Sequence, residues 1–314
     1  VCDSMATGAV RALHATPEQM RLYAAAVKYY VPTSVEEVIR RAGVILGARH
    51  YLREGHCAGA FQKLVRDSSV LSIFHSGTFL NLTTVGMYLG ELANRRATAV
   101  RQSTEQIAQR VAAIFTLSHP LPAFDASRLK VYTRGRDDVL YGLPSTLSRL
   151  RRLKDSLTTF TDVQGEVRVE VQVEVLDEII RLTTELCQEV EAEDARQREM
   201  EAQLGNAYGT SPEMFEQAGR YCVLHAAASC VHLWAHSRAH MEEFYRGGEW
   251  VVLGLARQLK KLRGVSEAVA AEYYERVAEQ LERLHAEQRS FALVPLHLAQ
   301  ADRREVEELL SAAV

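Results

Sequence analysis

The feature that most constrains this chain is a helical rhythm of apolar residues running almost from end to end, with only one stretch that alternates like a strand. Thr16-Pro17-Glu18-Gln19 offers a capping hydroxyl, a proline at the first helical position and a glutamine placed to close a capping box. Ser34 to Glu37 repeats the box, and Ser211-Pro212-Glu213 marks a third start. From Val167 to Val175 valines alternate with polar residues, but a strand needs a ladder partner and the rest of the chain offers none. The expected fold class is therefore all-α.

Taken in order, Val31-Pro32 is expected to end a helix holding Met20 to Tyr30, because proline disfavours helical geometry in the residue before it. A second helix then carries Val35, Val38, Ile39, Ala42, Ile45 and Leu46 at helical spacing and stops at Gly47. A short helix fits Phe61 to Leu71, and a long amphipathic one fits Leu80 to Leu117. The break at His119-Pro120-Leu121-Pro122 suggests three parts: a helical bundle over 1–118, a connector over 119–144 and a second helical domain over 145–314. In that second domain helices are expected over Ser145 to Leu157, Val175 to Glu201, Met214 to Tyr245, Trp250 to Leu262, Ser266 to Ser290 and Arg303 to Ala312.

Between Leu46 and Asn81 the plain periodicity gives way to a definite order of residues. Gly47-Ala48 breaks the helix, Tyr51 and Glu54 follow, then the pair Arg66-Asp67, and then an apolar run that ends at Ser76-Gly77-Thr78. This order resembles the C-terminal helical domain of flavin-dependent acyl-CoA dehydrogenases, and the resemblance extends upstream through Ala24 to Lys28 and Val44 to Gly47. It covers roughly residues 1–95. It implies an acyl-CoA dehydrogenase C-terminal-like bundle, FAD as cofactor, and α,β-desaturation of an acyl thioester carried on coenzyme A or an acyl-carrier protein. The matching positions would put Gly47, Ala48, Gly77 and Thr78 at the cofactor, since a missing side chain lets backbone approach a ligand closely. Gly47 can equally serve as a simple helix cap. Arg66 and Asp67 fit a partly buried ion pair between helices better than a ligand contact.

The resemblance breaks where the family carries its catalytic glutamate, before Gly-Thr. Here stands Ser76, preceded by His75. A serine hydroxyl titrates far above neutrality and needs a partner base, whereas His75 could exchange protons near pH 7. Ser76 and His75 are thus the candidate catalytic residues of a site whose usual base is missing.

The family's N-terminal and β-domains are also missing, and the resemblance starts inside the bundle. An incomplete bundle would expose an apolar groove that a partner normally covers. The expectation is a split or heteromeric enzyme, in which a second acyl-CoA dehydrogenase-like chain supplies those domains and shares its FAD. A helical scaffold or regulatory subunit that has lost the flavin is the alternative, as is a flavin enzyme of the same fold doing oxygen chemistry.

Other constellations carry less. A net charge of -3 gives no general attraction to nucleic acid or an anionic membrane. Arg149, Arg151, Arg152 and Lys154 read as a solvated helix face, so nucleic acid is not an expected partner. His225, His232, His236 and His240, with Cys230 and Glu243 nearby, could present imidazoles at metal-sharing spacing, but no carboxylate motif accompanies them and no metal is expected. The cysteines Cys2, Cys57, Cys187, Cys222 and Cys230 form no CxxC pair, as suits free thiols in a cytoplasmic protein, and no apolar run is long enough to span a bilayer.

Overall fold

A computed structural model describes residues 1–54, 59–74, 77–98, 104–133, 135–164, 167–266, 269–293 and 296. The helices are α1 (Cys2–Ala15), α2 (Met20–Leu46), α3 (Ala60–Phe74), α4 (Gly77–Thr98), α5 (Thr104–Phe115) and α6 (Asp138–Tyr141). They continue with α7 (Leu143–Gln164), α8 (Val167–Leu204), α9 (Pro212–Ser237), α10 (Glu243–Gly247), α11 (Glu249–Arg263) and α12 (Ala271–Ala286). No strand occurs among the described residues, and Val167 to Val175 lies in α8. The expectation of an all-α chain holds.

The fold is arranged around α9. From Tyr221 to Ala235 this helix has almost no polar face, and a helix that is apolar all round has to be surrounded by others. Helices α1, α2, α4 and α5 pack on it from one part of the chain, and α7, α8 and α11 from the other. Its small side chains, Ala226 to Ser229 among them, let these neighbours approach, while Trp234 is the largest fully buried side chain among the described residues. One buried cluster runs from Met5 to Tyr273 across residues 119–144, whose last part folds as α6 into the interior with Val139 and Leu140 buried.

Several local expectations are corrected. Helix α2 does not stop at Pro32 but passes through it to Leu46. Tyr23, Ala26 and Tyr30 before the proline and Ile39 and Gly43 after it are buried along α2, so packing outweighs the lost backbone bond. Thr33 Oγ1 donates to the carbonyls of Tyr29 at 2.8 Å and Tyr30 at 3.1 Å, which supplies part of what the proline removes. Ser34 consequently sits buried inside the helix, and neither it nor Thr16 closes a capping box. Ser211 does cap α9, accepting from the Met214 N–H at 3.2 Å. The long helix expected over 80–117 is two, α4 and α5. The helix expected to reach Tyr245 ends at Ser237, whose hydroxyl accepts from the Leu117 N–H at 2.8 Å and donates to the Phe115 carbonyl at 2.6 Å. Asp67 pairs with Lys63 one turn away on α3 rather than tying helices together, and Arg66 is exposed.

Candidate functional site

The candidate region is the elbow built by the end of α2, the short 3₁₀ turn Gly47–Tyr51, α3 and the start of α4. A side chain on Gly43 would meet the Phe61 ring at 3.7 Å, so α3 begins beside the last turns of α2. Helix α4 carries Tyr88 into the field of Arg21, near the first turn of α2. Helices α3 and α4 therefore run back along α2 one after the other. His75 and Ser76, the candidate catalytic pair, lie outside the described residues.

Gly47 ends α2 with φ of 59°, its N–H shared between the carbonyls of Gly43 and Val44, which is the helix-cap role. His50 Nδ1 lies 2.6 Å from the Gly47 carbonyl, and Gln62 of α3 donates to the carbonyl of His50, so the turn is braced. Gly77 opens α4 with φ of 58°, and Asn81 Nδ2 donates to its carbonyl at 3.1 Å. Phe79 stacks on Phe215 with ring centroids 4.8 Å apart and so docks this end of α4 on α9. Both glycines hold a backbone conformation that L side chains rarely adopt, and a Cβ added at either would meet nothing within 4 Å. Gly47, Ala48 and Thr78 are exposed and Gly77 half-buried.

The fold does not bring the two glycine turns together. They stand at opposite ends of the 15 residues of α3, a separation of about 22 Å along the helix. A single small group cannot touch both, while two ends of an extended ligand, or two ligands, can. Around them the surface is unusually apolar. Val44 is 79% exposed, Ile45 87%, Tyr51 72% and Phe79 69%.

The histidine row of α9 does not form a metal site. His232 is buried, with Nδ1 2.9 Å from Thr146 Oγ1 and Nε2 2.7 Å from the Val139 carbonyl. The carbonyl can only accept, so Nε2 carries the proton and Nδ1 accepts from the threonine. Burial lowers the pKa of His232 to about 4 and that of His225 to about 3. His236 is half-buried and His240, beyond the helix, is exposed. Among the described residues no group of three side chains could hold a metal ion. The basic cluster is dispersed as well. Arg149 donates to the Ala235 carbonyl at 3.1 Å and Lys154 pairs with Asp177 at 2.6 Å.

A polar hub that sequence reasoning missed lies at Asp137, by the start of α2 and the end of α4, remote from the elbow. This carboxylate is fully buried and accepts from Tyr221 at 3.0 Å and Tyr23 at 3.2 Å, with Arg96 Nη1 3.8 Å away. Burial pushes its pKa up, while Arg96, the Leu140 N–H and Tyr221 favour the anion. Arg96 also grips Asp194 with two bonds of 2.5 and 2.6 Å, and Arg110 grips Asp138 at 2.6 and 2.9 Å. The hub is sealed from solvent and joins α2, α4, α6, α8 and α9, so its role is to hold the bundle. Asp137-Asp138 in an expected connector was the available signal, but the side-chain partners of Asp137 lie more than 40 positions away and only folding selects them.

The match to known proteins falls on the same elbow. A family model described as acyl-CoA dehydrogenase, C-terminal domain, matches residues 1–79, about a quarter of the chain. No curated protein and no solved structure matches the chain. From α1 to the first turn of α4, then, this protein is similar to the C-terminal helical domain of the acyl-CoA dehydrogenases, and the similarity ends just past the turn at Gly77.

Proposed function

We propose that the chain is a helical component of a flavin-dependent, acyl-CoA dehydrogenase-like oxidoreductase, and that it completes the FAD site of a partner chain bringing the β-domain. The supporting observation is the coincidence of three things on one elbow: the family match over 1–79, two open glycine turns, and large apolar side chains left in solvent. Surface of that kind marks an interface more often than a free face. The cofactor fits these residues in a limited sense. The exposed backbone at Gly47-Ala48 and Gly77, and the Thr78 hydroxyl, could meet a dinucleotide, whereas nothing on the elbow could enclose a flavin ring alone. When bound, the flavin supplies hydride acceptance from an acyl thioester carried on coenzyme A or an acyl-carrier protein. With Ser76 where the family has glutamate, the α-proton must be taken by another group, and the partner chain is the natural source.

The test is to purify the chain alone and together with a candidate partner chain that carries the β-domain, and to read bound flavin and acyl-thioester desaturation separately. Flavin should be retained only by the pair. Replacing Val44 and Ile45 together by serine should release the partner and the flavin with the helix content unchanged. Gly77→Val should lower flavin occupancy, and Ser76→Ala should leave turnover within about twofold. A stable pair that holds no flavin would favour the scaffold reading.

A further inference from the structure

A second site lies on another face, in the groove between α2, α11 and α12. Its volume is about 530 Å³, and among the described residues it is lined by Arg41, Arg257, Lys260 and Lys261 against one carboxylate, that of Glu37. Cavities of this size hold small organic ligands. Glu37 carries three of the cations at once: Arg41 at 2.7 Å, Arg257 at 2.9 Å and Lys261 at 3.2 Å. Burial alone would raise its pKa, yet Lys261 and Arg257 hold it down to about 2. One negative charge cannot balance three cations, and Lys260 adds a fourth that makes no ion pair among the described residues.

The groove is also shaped rather than merely charged. Lys261 Nζ sits 5.3 Å from the centroid of the Tyr30 ring, and the Tyr30 hydroxyl donates to Gln258 Oε1 at 2.6 Å, so the lysine leans on a fixed platform. Leu253 and Ala256 give an apolar floor, and α11 ends at Gly264, with φ of 76° and nothing within 4 Å of an added Cβ. Tyr274 lines the rim with 59% of its surface exposed.

We propose that this groove binds a phosphorylated nucleotide, its phosphate oxygens on Arg257, Lys260 and Arg41 and its base against the Tyr274 ring. Guanidinium and ammonium groups together suit a phosphate chain, because arginine binds oxygens in pairs and lysine acts as a point charge. The aromatic rim distinguishes a nucleotide from a bare polyanion, since a base gains from stacking. The site is separate from the elbow and does not depend on the flavin reading.

The experiment is calorimetric titration of the full chain at low ionic strength with ADP, pyrophosphate and adenosine. One ADP per chain is expected, pyrophosphate should bind several-fold more weakly, and adenosine should give no saturable heat. The double variant Arg257→Gln, Lys260→Gln should lose at least tenfold in ADP affinity with thermal unfolding unchanged. Tyr274→Ala should weaken ADP while leaving pyrophosphate as it was, and Glu37→Gln should tighten both by removing the internal competitor. Equal ADP affinity in the double variant and the parent would overturn the proposal. So would an absence of ADP binding, or binding of polyglutamate in its place.

Discussion

The interior around α9 and the elbow at the end of α2 are built on opposite terms. In the interior, several polar side chains are buried and paired, although both ring nitrogens of buried His225 lack a hydrogen-bond partner among the described residues. Asp137 has two tyrosines and a nearby arginine, Asp138 a bidentate arginine, and His232 a partner on each nitrogen. On the elbow, side chains that belong in a core stand in water, and two glycines hold positive-φ turns with open space around them. Removing a partner from a buried network leaves the other groups desolvated, so the interior governs stability. An open apolar face adds nothing to the stability of the isolated chain, so the elbow is free to serve association. The stretch with a family likeness thus contains both kinds of surface: α1 and the first part of α2 belong to the packed interior, while the elbow at the far end of α2 is left open.

Three measurements can break or sharpen that contrast. The largest effect is expected from Asp137→Ala, which leaves Tyr23, Tyr221 and Arg96 facing one another without the anion. A loss of about 3–5 kcal/mol in urea-induced unfolding is expected, as for a broken buried charge network. A loss under about 1 kcal/mol would mean that the hub is not what joins the helices.

Acid should act next, through the buried histidines. His232 has its pKa lowered by burial to about 4, whereas in the unfolded chain a histidine titrates near 6.5. Below 6.5 the unfolded state takes up a proton that the folded state refuses. The stability present in full above that pH is therefore lost as pH falls toward 4, by about 3 kcal/mol for this residue. Unfolding measured between pH 7 and 4.5 should show the slope, and His232→Gln, which can still donate to the Val139 carbonyl, should flatten it. An unchanged slope in the variant would remove His232 as its source.

The smallest effects separate two glycines. At Gly8 an added Cβ would lie 2.7 Å from the Phe115 ring, so Gly8→Ala should cost about 1–3 kcal/mol by overpacking. At Gly47 there is space but the backbone is left-handed, so Gly47→Ala should cost only about 1 kcal/mol, from φ alone. Thermal melts of both variants check the ranking. A reversed order would place the tight packing on the elbow.

Much of the architecture was readable in the residues. The Ser211 cap, the stop at Gly47 and the helix expected over Trp250 to Leu262 all follow from patterns that act within one or two turns. The elbow's glycines could be picked out for the same reason, since a positive φ is a local demand. Errors arose where distant packing overruled a local preference. Pro32 reads as a stop but lies inside α2, because the buried residues on either side of it need one continuous helix. The last part of the connector reads as punctuation but carries the central carboxylates.

By itself the sequence determined that the chain is helical, where several helices start and stop, and that its first quarter resembles a flavoenzyme domain. Those properties reside in spacing, capping and turn residues, which are short-range. Only the tertiary structure decided that α9 is the centre, that Asp137 is its polar hub and that His225 and His232 are core residues. It also decided that the two glycine turns stand a helix length apart. Burial and pairing are set by neighbours far away in the chain, and a residue's type does not reveal which of them will surround it.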